Sequence, residues 1–149
     1  MKLNEVGRIR KHQIYYSAMM VDDYNWNISL KDKILRGDVD GRAYDTFKKL
    51  VTNFINENFD YKFKPVELIP TATDPSKPSL KEEYWPAALT AVYIVQSKGG
   101  KYLFEESSFW DANEGELTIF PSTCSFQMLG SNSPILRVII NYDVEREST

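Results

Sequence analysis

The sequence has very few of the side chains on which most metal and redox sites depend. Among its 149 residues there is one cysteine, Cys124, and one histidine, His12. A single cysteine excludes an internal disulfide, and no zinc-binding spacing of cysteine and histidine exists. With no histidine close to it in the sequence, Cys124 is expected to be a buried structural thiol. A reducing, intracellular setting is the default expectation for such a chain.

Several other features are missing. No apolar run approaches the roughly 20 residues of a membrane-spanning helix, and the N-terminal segment has no apolar region typical of a secretory signal. With 18 basic against 21 acidic residues, the net charge of −3 gives no sign of a basic face for nucleic acid. No phosphate-binding loop or Ser-His-Asp order is present. We therefore expect a cytoplasmic protein that binds neither membranes nor nucleic acid.

The hydrophobic and aromatic content, at 42% and 13%, is enough for the core of one domain. We assign residues 1–149 to that domain, with an N-terminal strand and helix over about 13–60 and a β-barrel core over about 61–145. Residues 41–59 have the clearest helical pattern, and Asp40 is its predicted N-cap. The helix should pack on a sheet through its apolar stripe. That stripe consists of Tyr44, Phe47, Val51, Phe54 and Ile55.

The rest of the chain is predicted to be mainly β, with a polar turn-rich segment at 22–29 and a proline-rich loop at 70–80. Pro65 interrupts the alternating segment 61–69 and indicates an edge strand or a bulge. Residues 107–116 are predicted to be a turn-rich connection between strands. Short strands separated by Gly, Asn and Ser turns are typical of a sandwich or barrel. The predicted strands cover residues 13–20, 61–69, 87–96, 101–106, 117–122, 124–129 and 135–144.

Arg137 is the most informative charged residue that strand periodicity identifies. The last strand places Leu136, Val138 and Ile140 on one face, and Arg137 and Ile139 on the other. An unpaired charge in an otherwise apolar strand would be very costly to bury. Arg137 is therefore predicted to have a partner or to face a pocket.

Residues 89–142 resemble the C-terminal core of the 2-oxoglutarate/Fe(II) oxygenase superfamily, in particular its small branch common in phage and marine bacterial genomes. The similarity lies in LTAVYIV, SKGGKYLFEE, EGELTIFPSTCSFQM, GSNSP and RVIINYD, which follow in the family's order and spacing. The most specific part is FPS followed by R-x-x-x-N on a final strand. The resemblance implies a double-stranded β-helix, or jelly roll, with the amphipathic N-terminal helix packed on its sheet.

The resemblance also implies where a site would lie. Arg137 takes the place of the arginine that binds the 2-oxoglutarate carboxylate, with Tyr93 and Asn141 expected to face the same cosubstrate. The family's metal ligands map elsewhere. The first ones fall in LKEEYWPA, at residues 80–87, where Glu83 and Tyr84 stand instead of histidine. The distal histidine maps four residues after Ser122, which is Phe126.

These departures predict a member of the fold that has lost its metal, because a facial triad needs imidazole donors. No cofactor is then expected, and the chain would act as a binding or structural protein, phage-associated if its source is viral. It would have a protein partner or form a homo-oligomer, in the host cytoplasm or the virion. One alternative is an Fe(II)- and 2-oxoglutarate-dependent hydroxylase with an atypical site that includes Glu82 or Glu83. The other is a cupin-like binder of a small carboxylate, held by Arg137 and Tyr93.

Overall fold

The computed structural model describes the backbone of residues 4–9, 12–17, 24–130 and 132–145, and the side chains of residues 27–130 and 132–145. This part of the chain is mainly β, with two helices. Neither helix is long and apolar enough to cross a membrane. The elements are β1 (Asn4–Ile9), β2 (His12–Ser17), α1 (Tyr24–Leu35), α2 (Arg42–Asn58), β3 (Phe63–Ala72), β4 (Leu89–Gln96), β5 (Gly100–Phe104), β6 (Ser108–Ala112), β7 (Leu117–Pro121), β8 (Phe126–Leu129) and β9 (Leu136–Val144).

The strands form two antiparallel sheets. The larger sheet has the order β1-β2-β7-β4-β9-β3, and the smaller has the order β6-β5-β8. From β3 onward the chain passes repeatedly from one sheet to the other, and Glu82 extends the smaller sheet through a bridge to Phe126. Such alternation produces a double-stranded β-helix, which confirms the predicted fold class. The hairpin β1–β2 adds to the larger sheet beside β7.

The core has two layers, one on each face of the larger sheet. The first lies between this sheet and the helices, and the second lies between the two sheets. Strand β9 separates them, because Val138 and Ile140 belong to the helix side and Ile139 to the layer between the sheets. This alternation confirms the two faces predicted for the last strand. It also determines which side chains can reach the interior of the barrel.

The predicted amphipathic helix is α2, and all five residues of its apolar stripe are buried. The prediction of Asp40 as N-cap was wrong, because Gly41 occupies that position and no side chain caps the helix. Gly41 has a φ of +122°, in the region that favours glycine. A β-carbon there would lie 2.8 Å from Nζ of Lys33. The start of α2 is therefore set by the backbone conformation of Gly41, and no carboxylate caps the helix.

Three elements were not predicted: strand β1, which precedes the predicted strand 13–20, helix α1 and strand β6. Helix α1 begins at Tyr24, inside the segment 22–29 that was expected to be polar and turn-rich, so the described part of the chain has two helices instead of one. Leu30 and Ile34, one turn apart, are its buried apolar residues among the described side chains. Strand β6 lies inside the predicted connection 107–116 and pairs with β5. Its five residues, SFWDA, do not alternate between polar and apolar, so the sequence does not distinguish this strand from a turn.

Strand β3 confirms the interpretation of Pro65. The strand is at one end of the larger sheet, and its register with β9 shifts between Pro65 and Glu67. It continues to Ala72, so the predicted loop begins later than expected and covers residues 73–81. The start of the loop is attached to the residue that precedes β9: the backbone N–H of Thr73 donates to the carbonyl of Ile135 at 3.0 Å. The predicted strand 13–20 corresponds to β2, and residues 18–20 lie outside the described part.

Candidate functional site

Arg137 makes a bidentate ion pair with Glu82. Its Nη1 lies 2.6 Å from one carboxylate oxygen, and its Nη2 lies 2.7 Å from the other. The Arg137 side chain is only 7% exposed and that of Glu82 is 20% exposed. The prediction that Arg137 needs a partner is thus confirmed, and the partner is 55 residues earlier in the chain. Parallel, charge-assisted hydrogen bonds of this kind are strong and geometrically specific.

The position of Glu82 is determined by the backbone. Its N–H donates to the carbonyl of Phe126 at 2.7 Å, and the Phe126 N–H donates back to the Glu82 carbonyl at 3.0 Å. The hydroxyl of Tyr84 donates to Oε1 of Glu82 at 2.9 Å. Burial, together with this carboxylate, raises the pKa of Tyr84, which therefore remains a neutral donor. Glu82 is therefore held by its own backbone, by Arg137 and by the Tyr84 hydroxyl, without a bound ligand.

Phe126 is fully embedded in the layer between the sheets. Only 1% of the residue is exposed, and its ring belongs to an aromatic cluster that fills this end of the barrel. The Phe120 ring is nearest, with centroids 5.1 Å apart in an edge-to-face arrangement. The other rings of the cluster, at centroid distances of 6.1 to 6.3 Å, are those of Phe104, Tyr84 and Tyr102. The position predicted for a distal histidine is thus occupied by apolar volume.

Asn141 lies on the same face of β9 as Arg137, and its polar atoms are already used. Its Oδ1 accepts a hydrogen bond from Thr90 at 2.8 Å, and its Nδ2 donates to Glu67 at 3.0 Å. The Thr90 hydroxyl also pairs with the Ser122 hydroxyl at 2.7 Å. With 2% of the residue exposed, Asn141 ties three strands together in this arrangement.

The structure does not bring Tyr93 together with Arg137. Tyr93 belongs to the core layer on the helix side of the larger sheet. Its hydroxyl donates to Oδ1 of Asn27 on α1, and its ring packs against Phe47 of α2 with centroids 5.1 Å apart. Because successive side chains of a strand point to opposite faces, Tyr93 cannot share a pocket with Arg137. The residue joins the helices to the sheet.

An open groove of about 580 Å³ lies beside the ion pair. The loop 73–81 forms one wall, and its Ser79 hydroxyl donates to the carbonyl of Met128 on β8 at 2.8 Å. Arg137 and Glu82 both line the groove, as do Lys77 and Lys81. The Nε–H of Arg137 is buried and has no hydrogen-bond partner among the described residues. Arg137 is therefore both paired and adjacent to a space that a small molecule could enter.

A second, smaller cleft of about 400 Å³ is lined by the segment 83–87. Trp85 and Val66 line it, together with Glu83 and Asp143. Glu83 is exposed, so it points away from the buried ion pair that its neighbour Glu82 makes. The two adjacent glutamates thus have different surroundings.

The residues present do not fit the iron centre that the family resemblance implies. No three His, Cys, Asp or Glu side chains within the described part of the chain are grouped closely enough to hold a metal ion. Glu82 is engaged by Arg137, and Phe126 brings a ring where an imidazole would be needed. His12 begins β2, and its side chain lies outside the described part. Cys124 is buried, and burial with Glu105 nearby raises the pKa of its thiol to about 12.

Comparison with known proteins supports the fold and no more detailed assignment. Neither the known protein families nor the curated proteins include a match to this sequence. Among solved structures, a Pseudomonas putida prolyl-4-hydroxylase matches with a TM-score of 0.66 over 93% of this chain and 90% of that chain. The chain has an oxygenase-like double-stranded β-helix fold. At 12% identity the similarity is one of fold alone.

Within this oxygenase-like fold, sequence reasoning located one of the two groups at the centre of the site. Arg137 was identified, whereas Glu82 was considered only as an oxygen ligand for a metal. The resemblance placed residues 80–87 and Arg137 around the same site, and that proximity was the available signal. A carboxylate in this segment was the natural partner for a buried guanidinium. The bridge between Glu82 and Phe126, which aims the carboxylate, has no sequence pattern of its own.

Proposed function

We propose that this chain is a non-catalytic binding or structural protein built on an oxygenase-like fold. The observation that carries the proposal is the position of Phe126. Its ring is buried among four other aromatic rings, at the place where the family resemblance puts the distal metal ligand. A phenyl ring cannot bind Fe(II), and the cluster around it leaves no room for an imidazole and a metal without repacking. The barrel is stabilised by aromatic packing here.

The donor set around Phe126 also supports a role without iron. Glu82 is bridged to Phe126 through the backbone, and both oxygens of its carboxylate accept hydrogen bonds from Arg137. A site made only of oxygen donors would favour Mg²⁺ or Ca²⁺ over Fe(II). No observation on the described residues favours the hydroxylase alternative.

Exposed apolar side chains near the groove and the cleft support a binding role. Leu80 is 77% exposed, Trp85 is 67% exposed and Val66 is 50% exposed. Val66 and Trp85 line the same cleft, and exposed apolar side chains that lie together are typical of binding surfaces. We include in the proposal a protein partner or a second copy of the chain, and a cytoplasmic location. A phage-associated role rests on the sequence resemblance alone.

A second candidate function is the binding of a small carboxylate, and one specific observation favours it. Arg137 lines an open groove, and its buried Nε–H has no hydrogen-bond partner among the residues that the structure describes. Lys81 on the groove wall adds positive charge, whereas Lys77 is paired there with Asp74 at 4.0 Å. A carboxylate that entered the groove would, however, have to compete with Glu82 for the guanidinium.

Calorimetry with 2-oxoglutarate separates these functions. The full chain is titrated anaerobically, once without metal and once with equimolar Fe(II). We expect no binding heat in either titration. Heat in both titrations would overturn the first candidate in favour of the carboxylate binder. Heat that requires Fe(II) would contradict both and favour the hydroxylase.

A further inference from the structure

The contact between Glu82 and Arg137 has the geometry of a bound ligand. Both guanidinium Nη atoms meet both carboxylate oxygens, at 2.6 and 2.7 Å. This fork-to-fork arrangement is the one by which arginine recognises carboxylates of small molecules. We infer that Glu82 is an internal ligand, whose carboxylate occupies Arg137 and excludes external carboxylates from it. The chain itself supplies, through the Glu82 side chain, the carboxylate that would otherwise come from solution.

Burial distinguishes this pair from ordinary surface ion pairs. Lys101 and Asp111, 2.8 Å apart, leave 51% and 68% of their side chains exposed, and exposed pairs of this kind stabilise a protein very little. Arg137 is only 7% exposed. A buried guanidinium requires a counter-charge, since leaving it unpaired is strongly unfavourable. Glu82 provides that charge permanently, so the site is complete without a ligand.

The backbone gives Glu82 a large advantage over any free carboxylate. Two hydrogen bonds to Phe126 fix the main chain of Glu82, and the Tyr84 hydroxyl orients its carboxylate. Because the group is tethered and already ordered, its binding costs no translational freedom, whereas a free ligand has to lose it. At millimolar concentrations, acetate or succinate should not displace Glu82 from the wild-type protein.

Removal of the Glu82 carboxylate should expose a carboxylate site. Arg137 lines the groove of about 580 Å³, and Lys77 and Lys81 line it too. Without Glu82, the two Nη groups lose their acceptors, and the buried Nε–H already has none in the described part of the chain. A small mono- or dicarboxylate that enters the groove would restore the missing hydrogen bonds and charge. The predicted ligand class for the variant is therefore carboxylates, and chloride should not replace them.

The experiment compares wild-type protein with Glu82→Ala by thermal unfolding in sodium acetate, sodium succinate or sodium chloride at equal ionic strength. In chloride the variant should melt about 5–15 °C below the wild type. Carboxylate should raise its melting temperature by about 3–5 °C at ten times the dissociation constant. The wild type should melt at the same temperature in all three salts.

Two control variants make the result specific. Glu83→Ala removes the exposed neighbouring carboxylate and should behave as wild type in every salt. Glu82→Ala combined with Arg137→Met should lose the response to carboxylate, because the guanidinium is gone. If Glu82→Ala does not fold in chloride, recovery of folded protein on dilution from urea into acetate is the readout, and failure to recover folded protein in acetate overturns the inference.

The inference is overturned if Glu82→Ala shows no specific response to carboxylates, or if the wild type responds as strongly. It concerns the same site as the proposed function without depending on it. A chain that bound iron would contradict the proposed function, and Glu82→Ala could still gain carboxylate binding. A chain without iron whose variant ignores carboxylates would contradict only the internal-ligand inference.

Discussion

Replacing Glu82 with alanine is expected to lower the free energy of unfolding by about 3–5 kcal/mol, the range for breaking a buried ion pair from one side. In this variant the Arg137 side chain, which is 7% exposed, loses the carboxylate that accepts its hydrogen bonds. Replacing Arg137 with methionine should cost less, about 1–3 kcal/mol. The remaining Glu82 side chain is 20% exposed and keeps the Tyr84 hydroxyl as a donor. Water can therefore donate hydrogen bonds to the Glu82 carboxylate oxygens that Arg137 no longer contacts.

Combining Glu82→Met with Arg137→Met tests the origin of this asymmetry. Apolar replacement of both members of a buried pair is often neutral or stabilising, so the double variant should be more stable than Glu82→Ala alone. Urea unfolding followed by circular dichroism measures all four proteins. A cost below about 1 kcal/mol for Glu82→Ala, within reach of an ordinary surface substitution, would mean that Arg137 is not buried as the structure has it.

Replacing Phe126 with alanine is expected to cost about 3–5 kcal/mol, because the change removes a buried ring and leaves a cavity between the sheets. The four rings around it would lose their common contact. The hydrogen bonds between Phe126 and Glu82 involve only the backbone. The variant should therefore keep the fold at low temperature and unfold at a lower urea concentration.

The matched control is Phe109→Ala in β6, since Phe109 is 63% exposed. This substitution should change stability by no more than about 0.5 kcal/mol. The two variants are compared by urea unfolding under identical conditions. If Phe109→Ala and Phe126→Ala lowered the free energy of unfolding equally, Phe126 would not belong to a closed core. Its ring would then not fill the metal position that the resemblance predicts.

Elements with a clean apolar period could be predicted from the sequence, and those without one could not. Helix α2 has its stripe at three- and four-residue spacing, and β9 alternates around Arg137, so both were predicted correctly. Helix α1 begins with aromatic residues alternating with asparagine (YNWN), and its described buried residues are only Leu30 and Ile34. Strand β6 is short and depends on pairing with β5. Neither has enough local signal to outweigh its turn-forming neighbours.

The candidate site shows a similar limit. The need of Arg137 for a partner follows from burying a charge, which strand periodicity reveals. The identity of the partner depends on a contact 55 residues away in sequence, through a segment with no periodicity. The placement of Tyr93 failed for another reason. Every residue of β4 before Gln96 is buried, so its sequence does not indicate which side chains face the helices and which face the barrel.

The absence of an iron site around Phe126 and Glu82 is the central property proposed for this protein. The most direct test loads the protein anaerobically with Fe(II), removes unbound metal by gel filtration, and measures iron per chain with and without 2-oxoglutarate. We predict well below one equivalent of iron in both samples, and no absorbance band that depends on 2-oxoglutarate. One tightly bound equivalent of iron, with such a band, would contradict the proposed loss of the metal site.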